Sequence, residues 1–549
     1  MPATHEVINQ PPDLVDYNLY ETDPILSSTV EHYIPDVDHK HLIRLGETAG
    51  STEYYELGFE ANINEPVLHT HDRTGHRIDE VKFHPSWHKL MDIAVGAGHA
   101  SLPYEADAPT GSHLIRAAGT NLTSQIEQGH GCPMAMTYAV TASLRKQPDV
   151  AADWEDKLFS RSYDPTYAPQ ADKSGVLMGM AMTEKQGGSD VRANTTTATP
   201  VGTPGPGNEY LLTGHKWFVS APMCDAFLAL AQAPGGLTCF LVPRWMPDGT
   251  RNTFNIQRLK DKLGNRSNAS SEVEFDDTWG RMVGEEGRGV ATIIEMVAAT
   301  RLDCVTGSAA TMRQAVTQAL WHTSKREAFG KVLVDQPLMT VVLADLELDV
   351  QAATVLMCRS ATAFDRAEGD NVDAHMKRLL TPVAKYWVTK NGTPVIREAM
   401  ECFGGGGYVE ENILPRLYRE APVNAIWEGS GNVIALDVLR VLYKTPEAFD
   451  AFFTEVAERT NSTIVSGVVD RLRTAAADTD QLERRARSIV NGMGTVMAAS
   501  LLEEHASEVV ADAFIKTRVA SQPGRLHGEL PTTVDPKAIL APTLAALEA

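Results

Sequence analysis

The chain has 549 residues, 43% of them apolar and 22% charged, with a formal net charge of −22. That length suits three or four packed domains around a sizeable core, no run approaches the roughly 20 apolar residues of a membrane helix, and the acidic balance opposes nucleic acid and acidic membranes on average. The 6 cysteines are scattered with no C-x-x-C pair, and Met1–Tyr20 lacks a basic start and an apolar block, which argues against a disulfide framework, structural zinc or a secretory signal and for a reducing cytoplasm.

In chain order, residues 1 to about 60 mix prolines and acids and read as an extension that wraps or caps. His69, His71, His76, His84 and His88 then crowd one stretch. The His69-Thr70-His71 spacing is compatible with a metal, but Pro85 marks a helix start between His84 and His88 and no cysteine or paired acid completes a site. Surface and packing roles are favoured, and no metal is expected. Helical patterning begins near Trp87 and passes Ser143, punctuated by Gln128–Pro133. From about Gly175 to Phe275, short strand-like runs such as 209–213, 226–230 and 238–243 alternate with turn signals at 205–208, 234–236 and 247–249, which predicts a β-domain. After Gly289, Ile293, Ile294, Val297, Leu302 and Val305 recur at helical spacing, as do Val342, Leu343, Leu346 and Val350, which predicts a bundle. An alanine-rich, charged helical region follows from about 445. The fold class is α+β, with segments 1–176 (extension and helical domain), 177–285 (β-domain), 286–445 (helical bundle) and 446–549 (additional helices).

Five short constellations carry chemistry. In Met182–Asp190, paired glycines before Ser189 let main-chain N–H groups meet an anion, or form an ordinary tight turn. Gly214–Ser220 sets aromatics two residues from a hydroxyl, as one wall for a flat ligand or as a half-buried strand. Arg326–Gly330 with Gln336 offers a phosphate clamp or a surface salt bridge. The four glycines 404–407 cannot sustain a helix, at roughly 1 kcal/mol each relative to Ala, so they form a loop, either free or packed against a bulky ligand. Glu428, between Trp427 and Gly429, is a candidate base or an exposed acid near a helix start.

In this order and spacing the constellations resemble the acyl-CoA dehydrogenase family, from about Trp87 to Tyr443. The matching segments are Thr183–Asp190, Gly214–Ser220 (Phe218 in the usual Trp place), Lys262-Leu263-Gly264-Asn265-Arg266 (Asn268 where Ser is usual), Gly284-Gly287-Gly289, Arg301, Arg326-Phe329-Gly330-Gln336, Gly404-Gly405-Gly407-Tyr408 and Trp427–Ser430. Asn9-Gln10-Pro11, Phe83–His88, Leu259–Ser270 and Trp427–Asn432 are similar to the AidB-like, alkylation-response subgroup, which extends the resemblance over nearly the whole chain.

The resemblance implies an FAD-dependent acyl-CoA dehydrogenase. Glu428 is the catalytic base, shielded beside Trp427, and the thioester enolate is held by the main-chain N–H of Glu428. Met182, Thr183, Gly188 and Ser189 contact the flavin and its pyrophosphate, and Phe218 and Ser220 lie against the ring. Arg326, Phe329, Gln336, Gly404 and Gly405 reach the FAD of a neighbouring subunit in a homotetramer. Trp427, Gly429, Ser430 and Asn432 complete the cofactor contacts, and Arg301 and Trp427 face an acyl-CoA or related thioester. Trp427 is bulkier than the frequent Tyr and narrows the acyl channel. Glu rather than Asp at 428 disfavours nitroalkane-oxidase chemistry. The alternative implied by the subgroup is a flavoprotein that binds or protects double-stranded DNA through Arg471, Arg473, Arg484, Arg485 and Arg487. From Val441 to Ala549, however, 11 Lys and Arg face 15 Asp and Glu, and a solvated helix face is the favoured reading of those arginines.

Overall fold

Contacts divide the described residues, 4–369, 371–520 and 533–548 of the computed structural model, into two units. One is drawn from Glu56–Ala108 and Glu127–Thr300, the other from Met1–Tyr55, Pro109–Ile126 and Arg301–Ala549. Helix Gly289–Lys325 carries the chain from one to the other.

The first unit is built on a seven-stranded sheet. Strand Ala226–Ala233 is buried on both faces, which its nearly unbroken apolar run requires. It pairs antiparallel with Gly236–Pro243 from Ala233↔Gly236 to Ala226↔Pro243, so Pro234-Gly235 is a two-residue hairpin turn. The pairings close on themselves through Thr197–Pro200, Glu209–Ser220 and Ser270–Val283, which makes this a barrel-like sheet. Phe254–Leu259 pairs with the long strand Ser270–Val283, and Met178–Ala181 runs parallel to Ala226–Ala233. A separate hairpin, Val67–His71 with Arg77–Lys82, carries three of the clustered histidines on its strands and turn. Helix Pro85–Gly96 starts at Pro85, with the His84 ring accepting from the Ser86 N–H.

The second unit is helical. Helix Pro337–Arg366 is buried on every side between Leu343 and Phe364, as expected of a central rod. Val372–Glu401, Leu482–His505 and Pro536–Glu548 pack on it, Ile413–Asn424, Gly431–Lys444 and Pro446–Arg459 pack on Val372–Glu401, and Thr463–Ala477 packs on Leu482–His505. The later helices are tied to the rod by buried charge: Arg359 meets Glu455, and Arg518 meets Asp345 and Asp349. The first 60 residues, expected as an extension that wraps or caps, carry regular secondary structure. They form helices Pro24–Tyr33, Lys40–Gly50 and Thr52–Ile63, because Leu42, Leu45, Gly46 and Ala49 make a buried stripe at helical spacing. Only the segment ahead of them is extended, and it runs antiparallel along Gly289–Lys325. Tyr17 bonds Gln314, Leu14 accepts from Gln318, Pro12 accepts from Trp321, and Asn9 docks on Glu327.

Candidate active site

In the sheet unit, the loop Met182–Asp190 is anchored from within. Glu184 and Lys216 are both fully buried, with Nζ 2.8 Å from Oε1 and 2.7 Å from the Leu230 carbonyl. The same carboxylate accepts from the main-chain N–H groups of Thr195 and Thr196. Burial pushes Glu184 up, but Lys216 and these donors outweigh it and hold the carboxyl at about 2. Burial draws Lys216 down to about 8 against the pull of Glu184. With Glu184 held inward, the chain reverses through mutual main-chain bonds between Glu184 and Gly187, and a Cβ at Gly188 would come within 3.1 Å of the Thr183 side chain. Gly188 and Ser189 are left exposed and Met182 and Thr183 half-buried.

The second wall stands on strand Glu209–Ser220. Its register slips between Lys216 and Val219, and a slip of this kind re-aims side chains. Phe218 is thereby 52% exposed, while Trp217 is half-buried with the Lys260 ammonium 3.3 Å from its ring centre. The Trp217 N–H donates to the Thr183 carbonyl at 2.8 Å, which fastens the loop to this strand. Ser220, half-buried, lies 3.3 Å from the Ser270 hydroxyl. Thus Met182, Thr183, Gly188, Ser189, Phe218 and Ser220 belong to one continuous piece of this unit.

In the helical unit, Glu428 occupies a kink between helices Ile413–Asn424 and Gly431–Lys444. Its φ is 57° and that of Gly429 is 105°. A left-handed glutamate is strained and persists only where its surroundings enforce it. Two buried cations grip the carbonyls of this kink. Arg301 Nε donates to the Glu428 carbonyl at 3.0 Å and its Nη1 meets Asp437 at 2.7 Å. Lys385 Nζ donates to the carbonyls of Trp427, at 2.9 Å, and Gly429, at 2.6 Å. Asp437 is raised by burial, but Arg378 and Arg301 outweigh this and hold its carboxyl below the usual range. Trp427 donates Nε1–H to Asn424. Trp427, Glu428 and Gly429 are half-buried, and Ser430 and Asn432 are exposed at the helix start.

The remaining expected contacts sit at the end of Gly289–Lys325. The half-buried Arg326 contacts the Asn9 carbonyl, Gln336 bonds the Ala328 carbonyl, and Phe329 is 98% exposed at a φ of 53°. His322 stacks on Phe403, ring centres 4.2 Å apart, which brings this turn near the exposed Gly404 and Gly405. Arg471, Arg473, Arg484, Arg485 and Arg487 are all exposed. Three of them are engaged within the chain: Arg473 with Asp450, Arg485 with Asp478 and Arg487 with Tyr386. Among the described residues, His32, Glu504 and His505 are the one group whose ligand atoms lie close enough to share a metal ion, and the Arg459 guanidinium already holds Glu504. Sequence reasoning assigned no role to Lys216, Lys385 or Asp437; each is a charged residue inside an apolar run, which is the signal that would have marked it.

Residues 9–165 match the adaptive response protein AidB N-terminal domain, 179–278 the acyl-CoA dehydrogenase middle domain and 287–443 the acyl-CoA dehydrogenase C-terminal domain. The chain is 44% identical to AidB of Escherichia coli (strain K12) over 95% of each protein. It belongs to the acyl-CoA dehydrogenase family, in its AidB-like group. This AidB-like chain is also 32% identical to acyl-CoA dehydrogenase family member 11 of Caenorhabditis elegans, over 90% of this chain and 85% of that one. The crystal structure of Caenorhabditis elegans ACDH-11 in complex with C11-CoA superposes with a TM-score of 0.84 at 28% identity, covering 100% of this chain and 93% of that one. Butyryl-CoA dehydrogenase of Megasphaera elsdenii shares the fold, with a TM-score of 0.55 at 18% identity over 79% of this chain and 100% of that one. None of the described helices is long and apolar enough to cross a membrane.

Proposed function

We propose that this chain is an FAD-dependent dehydrogenase of acyl-CoA thioesters, with Glu428 as its base. The observation that carries the reading is the kink at Glu428, a strained left-handed acid whose three successive carbonyls are held by Arg301 and Lys385. A fold does not keep such strain without compensation, and strained acids of this kind cluster at reactive sites.

The sheet unit suits a flat, anionic cofactor. Phe218 presents an open ring, Ser220 a hydroxyl two residues on, and Gly188 and Ser189 an exposed turn of main chain free of bulky side chains. FAD bound there would accept the substrate β-hydrogen as hydride. Glu428 takes the α-proton from the thioester, and the electron pair of that C–H bond moves into the new α,β double bond as the hydride departs. The Glu428 N–H donates to the thioester oxygen while negative charge develops there, a kind of stabilisation worth several kcal/mol. Arg301 serves through the Glu428 carbonyl, since Asp437 takes its other arm. Met182, Thr183 and Ser189 hold the cofactor in the chain's own sheet unit. Arg326, Phe329, Gln336, Gly404 and Gly405 serve the cofactor of a second copy in a homotetramer, and Gly429, Ser430 and Asn432 complete the contacts. The exposure of Phe329, 98% in a single chain, supports the role of a residue that awaits a partner.

The alternative role on double-stranded DNA is less well supported, because three of the five candidate arginines are engaged within the chain and phosphate neutralisation is the main source of non-specific affinity. The deciding experiment is anaerobic titration of the yellow protein with an acyl-CoA series. Bleaching of flavin absorbance that is lost in Glu428→Gln, with FAD content unchanged, is expected. Equal bleaching by Glu428→Gln removes Glu428 from the base role.

A further inference from the structure

Lys385 is 1% exposed. Burying an ammonium costs several kcal/mol unless strong acceptors surround it. Here its Nζ lies 2.9 Å from the Trp427 carbonyl and 2.6 Å from that of Gly429, while Arg301 takes the Glu428 carbonyl between them at 3.0 Å. Three consecutive carbonyls are therefore drawn to two buried cations.

The peptide bonds here are trans. In a planar trans peptide the N–H points opposite to the C=O. The N–H groups of Glu428, Gly429 and Ser430 accordingly face away from Lys385 and Arg301. Each cation also polarises the peptide it grips, which makes the N–H at the other end a stronger donor.

We propose that Lys385 is a positioning residue: by gripping the carbonyls on either side of Glu428 it holds the base in its left-handed conformation and aims the Glu428 N–H outward as the oxyanion donor. This deepens the proposed thioester dehydrogenation and rests on that reading for its chemistry, but not for its geometry. Arg301 cannot do the work alone, because it reaches only the Glu428 carbonyl, whereas the peptide that carries the Glu428 N–H is gripped at the Trp427 oxygen by Lys385. The groups facing Lys385 are few. Burial lowers its pKa, with Arg301 and Lys390 adding to that and Cys304 and Glu428 opposing it. Cys304 is itself driven to about 12 by burial, so it stays a neutral thiol.

The test uses the full-length protein as purified, with Lys385→Met, Lys385→Gln and Lys385→Arg. Hydrogen–deuterium exchange is followed on peptides covering 425–432, and flavin bleaching is followed by stopped flow with a series from butyryl- to lauroyl-CoA. Lys385→Met is expected to speed amide exchange at Ile426 and Trp427, whose N–H groups are bonded to the Val423 carbonyl at the base of the kink, at least about tenfold while leaving helix Gly431–Lys444 unchanged. The bleaching rate constant should fall roughly 10- to 100-fold, a smaller loss than deletion of an oxyanion donor, with the half-saturating acyl-CoA concentration moving less than about threefold. Removing the cation should also shift the acidic limb of the bleaching profile to higher pH, because a nearby positive charge favours the ionised acid. Lys385→Arg should recover part of each effect. If Lys385→Met does not fold, Lys385→Gln carries the same expectations. Unchanged exchange at Ile426 and Trp427 overturns the proposal, and so does faster exchange with unaltered bleaching. Faster exchange in Lys385→Met, when no acyl-CoA bleaches even the wild-type protein, keeps the grip on the kink and discards the dehydrogenase reading instead.

Discussion

Lys216→Met offers a direct measure of how the Met182–Asp190 loop is held. In the folded chain the Lys216 ammonium touches Glu184 at 2.8 Å and the Leu230 carbonyl at 2.7 Å, and neither side chain of the pair sees solvent. Methionine fills similar space but leaves the Glu184 carboxylate buried with only neutral donors, chiefly the N–H groups of Thr195 and Thr196. Breaking a buried pair from one side costs about 3–5 kcal/mol. For a unit of 150–250 residues, each kcal/mol moves the melting temperature by about 2–4 °C, so the sheet unit should melt roughly 6–20 °C lower. Calorimetry gives the shift, and the ratio of flavin to protein absorbance after gel filtration reports on the loop. The double variant Glu184→Gln with Lys216→Met removes both charges and should stand nearer to wild type than Lys216→Met does. A Lys216→Met protein that melts within about 2 °C of wild type and keeps its flavin would refute the reasoning.

Three further outcomes are expected. Gly429→Ala places a Cβ 3.2 Å from Ile434 Cδ1 and 3.3 Å from Val433 Cγ1 at a φ of 105°; strain of about 1–3 kcal/mol should displace Glu428 and slow flavin bleaching by acyl-CoA at least tenfold while circular dichroism stays native. Phe329→Ala alters a side chain that is 98% exposed, so stability should change by less than about 0.5 kcal/mol while the FAD-to-protein ratio falls, read spectrophotometrically; an unchanged ratio takes Phe329 out of the cofactor site. Burial holds His505 and His322 at about 4 and His113 at about 3. The unfolded chain thus binds more protons below pH 6.5, and urea stability should decline from about pH 6.5 toward pH 4; a flat profile over that window contradicts the burial of these rings as neutral groups.

Legibility varied with how local the cause of each feature was. Strands Ala226–Ala233 and Gly236–Pro243 were readable because an apolar run and a Pro-Gly turn are adjacent in sequence. The helix break before Gly131 was readable for the same reason, whereas Gly404–Tyr408, expected as a loop, winds into a short 3-10 turn, whose single i→i+3 turns tolerate glycine where a longer α-helix would not. The stripe of helix Lys40–Gly50 was present in the sequence but was masked by the prolines and acids flanking it. The hairpin from Val67 to Lys82 is almost all half-exposed or exposed, so it leaves little hydrophobic alternation to detect. At the candidate site, residue types were legible and geometry was not. Glu428 stood out as an acid beside Trp and Gly, yet the cations that meet the carbonyls around it, Lys385 and Arg301, come from 43 and 127 residues earlier in the chain. Lys216 and Lys385 lie in apolar runs that hint at burial, but the acceptors that stabilise them, the Glu184 carboxylate and the carbonyls of Leu230, Trp427 and Gly429, are brought in by the fold and cannot be read from composition.

Asn9 has a wider consequence than its position suggests. Its side chain exchanges hydrogen bonds with the backbone of Glu327 in both directions, and its carbonyl meets Arg326. A residue at the head of the chain thus fixes the pose of a turn more than three hundred positions later. An exchange at Asn9 therefore acts as an edit to that distant turn, and Asn9 and Arg326 behave as a single inherited unit, to be kept or swapped together.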